Sequence, residues 1–153
     1  MKEYTHDEIL LKATSYCSKA EKCESEVRQK LFQWGYSQHD IQNKIIDYLY
    51  NEHYLDDERY CNAFVNDKFK FQHWGKVKIR TMLLSKGLPK VDVESAINTI
   101  SEDDYMRVLS ETAQQKIRYA KLDIANQADC QKLINFLFQR GFEYNVISKV
   151  LAL

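Results

Sequence analysis

The sequence predicts an all-α protein, three tandem three-helix repeats forming an elongated array. Three observations lead there: scarce turn-forming residues, a glycine-centred internal repeat, and helix start signals in register with it. The 153 residues include only four Gly and one Pro, and 44% are hydrophobic. A β sandwich or barrel would need turn residues roughly every 8–12 positions, so helix is the class left. A charged fraction of 29% with this much apolar content also excludes collagenous and low-complexity chains.

The repeat is centred on Gly35, Gly87 and Gly141, which are 52 and 54 residues apart. Eight and four residues before each glycine stand Val27 and Leu31, Ile79 and Leu83, and Leu133 and Leu137. Six and ten residues after stand Ile41 and Ile45, Val93 and Ile97, and Ile147 and Leu151. All twelve are Ile, Leu or Val, although those types make up only 33 of the 153 residues. An i, i+4 pair faces one way on a helix, so each pair is a buried stripe. A glycine four residues past the stripe is the left-handed residue that ends a helix. The next residue should then pack back one turn: Tyr36 on Leu31, Leu88 on Leu83, Phe142 on Leu137.

Start signals complete each unit. Thr5-His6-Asp7-Glu8 reads as a capping box for a helix over about 6–20. Ser37 is placed to cap a helix near 38–50, and Asp56 one near 57–72. Gly75 opens the helix that ends at Gly87, and Pro89 suits the first turn of the next. Ser101 with three following acids begins a helix near 102–120, where the macrodipole favours negative charge. Asn126 precedes the next helix, and Glu143 to Leu153 closes the chain. The count is nine helices in modules spanning 1–54, 55–101 and 102–153. Units this small bury their stripes weakly alone, so neighbours should stack.

Charge is balanced, 22 basic against 22 acidic residues, so general attraction to nucleic acid or an anionic membrane is not expected. Locally it is segregated. Lys68, Lys70, Lys76, Lys78, Arg80, Lys86 and Lys90 fall in a stretch from Lys68 to Val91 that has no Asp or Glu. Phe69, Phe71, His73 and Trp74 are interleaved with them. Cations among aromatics suit phosphates, stacked bases or an acidic protein groove. A solvated face neutralised by neighbouring acids is the competing interpretation. Lys116, Arg118 and Lys121 form a second, smaller group.

Catalytic signals are missing. The histidines at 6, 39, 53 and 73 show no i, i+4 pairing for a helical metal site. There is no phosphate loop or nucleophile elbow. Cys17, Cys23, Cys61 and Cys130 lack a CxxC pair and read as reduced thiols of a reducing, cytoplasmic compartment. No secretory signal or membrane span is legible. A non-enzymatic monomer without cofactor or metal is expected.

One block of residues adds a resemblance. The run His53-Tyr54-Leu55-Asp56-Asp57-Glu58-Arg59-Tyr60-Cys61-Asn62-Ala63-Phe64-Val65 continues through Gly75-Lys76-Val77-Lys78-Ile79-Arg80 to Leu83-Leu84-Ser85-Lys86-Gly87-Leu88. It resembles the central repeat of the RecX regulatory protein family. Glu26 to Leu31 with Gly35-Tyr36, and Phe138 to Phe142, are similar to that family's outer repeats. The resemblance implies a curved array of three modules that lies in the groove of a RecA recombinase filament on single-stranded DNA. Restrained filament growth, ATP turnover and strand exchange would follow, with no catalytic residues. Two departures stand out. Cys23 replaces a usual Ser-type cap, and no Pro follows Gly75, which leaves that helix start looser. A helix-turn-helix-like nucleic-acid-binding module is the alternative. The neutral charge makes direct DNA binding weak at most.

Overall fold

The structure, a computed structural model, describes residues 3–153; Met1 and Lys2, at the start of the module expected over 1–54, lie outside the described residues. The chain is all-helical. Its elements are α1 His6–Lys19, α2 Glu24–Gln33, α3 His39–Asn51, α4 Asp57–Asn66, α5 Lys76–Ser85, α6 Lys90–Ile97, α7 Glu102–Ala120, α8 Gln127–Gln139 and α9 Tyr144–Leu151. Close helix packing runs within three triplets, α1–α3, α4–α6 and α7–α9. An exposed area of 9584 Å² fits an elongated array, since a compact monomer of this mass exposes roughly 8,100 Å².

Most starts are where local chemistry puts them. The Thr5 hydroxyl accepts the Glu8 N–H at 3.2 Å, Asp56 accepts that of Arg59 at 3.0 Å, and Ser101 accepts that of Asp104 at 3.1 Å. Asn126 does the same for Asp129 at 3.1 Å. Two expectations need correction. Ser37 is not a cap: α3 starts later, behind Gln38, with no side-chain cap. The helix expected over 57–72 is α-helical only to Asn66 and then widens into a π turn, Asp67–Phe71. In that turn the Gln72 N–H reaches the carbonyl of Asp67 at 3.2 Å. The wide turn seats Phe69 in the core, its ring 5.9 Å from that of Tyr105 in α7.

All three glycines end helices as the repeat predicts, with φ of 96°, 87° and 100°. Tyr36, Leu88 and Phe142 donate to the carbonyls of Leu31, Leu83 and Leu137 at 2.8, 3.2 and 3.2 Å. Each glycine N–H donates to the carbonyl of the residue three before it, at 3.0 Å in all three units. That pair of bonds is the Schellman closure, which satisfies carbonyls the helix leaves open. Ten of the twelve stripe residues are buried; Ile41 and Leu151 are half-buried.

The two module junctions differ in kind. The first module closes its own core around Ile9, Val27, Leu31, Ile45 and Leu49, whereas one continuous core runs through the second and third modules. Between the first two, contacts are largely polar: Arg59 with Glu21 at 2.8 Å, Lys86 with Glu26 at 3.6 Å, and the Tyr50 hydroxyl donating to Asp57 at 2.8 Å. Cys23 adds an apolar plug. It is 2% exposed and packs with the core of the second module, and its N–H is held by Glu26 at 3.0 Å. The thiol therefore occupies the cap position for its packing, while Glu26 supplies the capping bond.

Between the second and third modules the backbones touch. A Cβ on Gly75 would lie 2.2 Å from the carbonyl carbon of Gly141. The N–H groups of Gly75 and Val77 donate to the carbonyls of Arg140 and Gly141 at 2.7 and 3.0 Å, and that of Lys76 to the Tyr105 hydroxyl at 3.0 Å. The open donors at the start of α5 thus meet the open carbonyls at the end of α8, where the two helix dipoles present ends of opposite sign. The α5 start is accordingly tied down, not loose. A Pro at position 76 would delete the bond to Tyr105.

Candidate partner-binding surface

The seven cations do not form a single patch. Lys68 and Lys78 come together at Trp74, with ammonium groups 4.9 and 4.1 Å from its ring centre. Lys68 also approaches Phe64 at 5.4 Å and pairs with Asp67 at 3.6 Å. Lys76 leaves this cluster and sits over Tyr105 at 4.5 Å. Tyr105 donates to Glu143, and its ionisation is pushed up by burial first and by that hydrogen bond second. Lys86 reaches back to Glu26 of the first module. Lys70 and Lys90 are exposed and make no ion pair among the described residues.

Arg80 has a structural role. Its guanidinium grips Glu94 of α6 with two bonds, at 2.6 and 3.2 Å. Arg28 stands at the same distance from its glycine, and it grips Gln42 and Asn43 of α3 at 3.3 and 2.8 Å. In both units an arginine seven before the glycine reaches a residue seven after it, tying two helices of the module. The third module has Ile134 and Ser148 at those positions. This clamp was readable in the register of the repeat, but only a contact reveals what the arginine does.

The Arg80 hydrogen bond lowers the Glu94 carboxyl below its ordinary range. A folded-state value depressed in this way contributes stability above the ordinary carboxylate value of about 4.3, and that contribution is lost as pH falls through the lowered value. The melting temperature of the parent should therefore exceed that of Arg80→Gln above about pH 5. The difference should shrink steadily with further acidification. A constant gap across the titration would show that Arg80 acts through packing.

The third module adds Phe136 and Arg140 to Lys116 and Arg118 of the smaller cationic group. Lys116 and Arg140 lie 4.7 and 5.6 Å from the ring centre of Phe136. With Thr112, Gln115, Arg118 and the exposed Tyr119 they line a groove of about 800 Å³. The guanidinium of Arg140 also donates to the Gln72 carbonyl at 2.7 Å, and Gly141 packs against the Cβ of Lys78. The Trp74 cluster and this groove therefore meet across the glycine contact. Among the described residues no carboxylate lines the groove. Residues 68 and 140 are too far apart in sequence for any local signal to have joined them.

Other chemistry is sparse. Cys17, Cys23 and Cys61 are buried free thiols, pushed up chiefly by burial, Cys17 to about 11 and Cys61 to about 12. Such thiols are protonated and unreactive at neutral pH. Among the described residues no group of three or more His, Cys, Asp or Glu is placed to hold a metal, and no helix is long and apolar enough to cross a membrane.

These features define a tandem three-helix repeat protein whose distinctive chemistry is spread over helix faces and module junctions. Residues 56–97 match the model of the second three-helix domain of RecX, and residues 102–151 that of the third. The chain belongs to the RecX family. It is 35% identical over 130 residues to a regulatory protein RecX from Clostridium botulinum, covering 84% of this chain and 60% of that one. A RecX of Clostridium acetobutylicum is 28% identical over 143 residues, covering 92% and 65%. The chain spans about 60% of the length of the first of these relatives. The fold matches the crystal structure of RecX from Lactobacillus salivarius with a TM-score of 0.80 at 20% identity, over 96% of this chain and 94% of that one.

Proposed function

We propose that this protein binds a RecA recombinase filament on single-stranded DNA and restrains its growth, ATP turnover and strand exchange. The observation that carries the reading is the pair of RecX domain matches, in order, on one welded helical body. The mechanism is differential affinity: a rigid protein that contacts neighbouring protomers shifts assembly and turnover toward the state it binds best. No chemistry on the partner is required.

Within the predicted seven, ion pairing distinguishes two groups. Lys70, Lys76, Lys78 and Lys90 make no ion pair among the described residues, and they are the contact cations of this reading. Lys68 is half-engaged with Asp67, while Arg80 and Lys86 brace α6 and the first module. The family's name and the acid-free groove both favour a regulatory surface over an enclosed reaction site.

The test is recombinase ATPase on single-stranded DNA with increasing amounts of this protein. Inhibition at amounts well below one molecule per protomer supports the reading; none at several-fold excess overturns it. A salt titration on bare DNA, without recombinase, separates the helix-turn-helix alternative. A DNA binder retains affinity for bare DNA and loses it steeply, with log K falling nearly linearly in log salt.

A further inference from the structure

Resting on the proposed filament partner, a second and apolar set of contacts follows from the register of the repeat. Thirteen large apolar side chains are exposed among the described residues. Single exposed apolar residues are ordinary. Recurrence is not. Counted from the glycine of its own unit, each of these residues falls at a different offset, with one exception. Phe32, Leu84 and Phe138 all stand three residues before their glycines, with 66%, 42% and 63% of their surface exposed.

The geometry explains why these side chains are outside and why they are well placed to bind. Their preceding neighbours Leu31, Leu83 and Leu137 are fully buried. Successive helix residues point about 100° apart, so the next side chain turns away from the core. The backbone there is also pinned, because the carbonyl of each accepts the glycine N–H at 3.0 Å. An apolar group on a fixed platform loses little freedom on binding. None of the three is among the partly buried residues packed against the two cores.

We propose that Phe32, Leu84 and Phe138 are three equivalent apolar contacts, one per module, that seat in equivalent pockets on successive identical subunits of a protein polymer. A repeated contact in the same register matches a partner that is itself repeated. A single globular partner offers no reason for three such sites. The surface would thus count subunits, favouring the assembled polymer over the free subunit by multiplying three modest contacts.

The experiment compares the full chain with Phe32→Gln, Leu84→Gln, Phe138→Gln and the triple variant, since Gln keeps good helix propensity. Binding is read by co-sedimentation with recombinase filaments on single-stranded DNA, with circular dichroism and melting as folding controls. Each single variant should bind about threefold to tenfold more weakly, as expected when one exposed aromatic or aliphatic contact is lost. The triple variant should lose close to the product, with unchanged helicity. Filament binding by the parent and an equally tight triple variant would overturn this inference and leave the proposed function standing. So would one variant carrying the whole loss, or dimerisation of the parent that the triple variant abolishes, which makes a second copy the occupant. A parent that does not bind filaments overturns the proposed function itself.

Discussion

Gly141→Ala is expected to lower the unfolding free energy by about 3 kcal/mol or more, and Gly87→Ala by only about 1–2 kcal/mol. Both glycines have positive φ and end equivalent helices. What differs is the space beside them. A Cβ on Gly87 meets nothing within 4 Å, so that substitution carries only the penalty of a left-handed backbone. A Cβ on Gly141 lies 2.4 Å from the Cβ of Lys78 and 2.7 Å from its backbone nitrogen. Backbone cannot swing aside as a long side chain can, so the junction must open. Opening it weakens the bonds that the Arg140 and Gly141 carbonyls accept from Gly75 and Val77. Gly75→Ala isolates the contact term. Its φ is an ordinary −78°, yet its Cβ would fall 2.2–2.3 Å from the Gly141 carbonyl group and the Phe142 nitrogen. Loss in the upper part of the ~1–3 kcal/mol overpacking range is expected there. Chemical denaturation of the three variants checks the order, Gly141 worst and Gly87 mildest. Equal losses at Gly87 and Gly141 would mean that the two modules are not welded at this contact.

Neutralising Lys70, Lys76, Lys78 and Lys90 together as Gln should weaken inhibition of the recombinase ATPase at least tenfold. Helicity should be unchanged and the melting temperature should fall only modestly, because none of the four makes an ion pair among the described residues and the loss is confined to the ring contacts of Lys76 with Tyr105 and Lys78 with Trp74. Exposed charges act mainly on association rate and salt dependence, so the parent should lose inhibition with rising salt and the variant less so. Arg80→Gln with Lys86→Gln should behave in the opposite way. These residues hold Glu94 and Glu26, and their loss should appear first as reduced stability. If the four-lysine variant inhibits as well as the parent, the cationic surface is a solvated face and nothing more.

How far the sequence was legible follows from the range of each interaction. Thr5, Asp56, Ser101 and Asn126 cap the helices they precede because a cap reaches only three residues ahead. The three glycines were equally plain, since their closures span four and six residues. Ser37 failed because a start follows from which turn packs best, and the α3 stripe at Ile41 and Ile45 tolerates a start one residue later. The π turn was missed for a related reason. Its extra residue is paid for by seating Phe69 against Tyr105, 36 positions away.

The candidate surface was half visible. An acid-free run of cations can be read directly, but its neutralising partners cannot. Glu94 comes to Arg80 from the next helix, and Glu26 to Lys86 from another module. The groove at Lys116, Phe136 and Arg140 depends on α7 and α8 lying side by side.

Residue order alone, through short-range hydrogen bonding and the 3.6-residue apolar period, was enough to define nine helices, three units and the segment that holds the charge. Tertiary packing decided which units share a core, which cations remain free, and that Gly75 and Gly141 meet. The reason is physical: such contacts join residues tens of positions apart, and whether they form depends on shape and solvent exclusion, which no local pattern encodes.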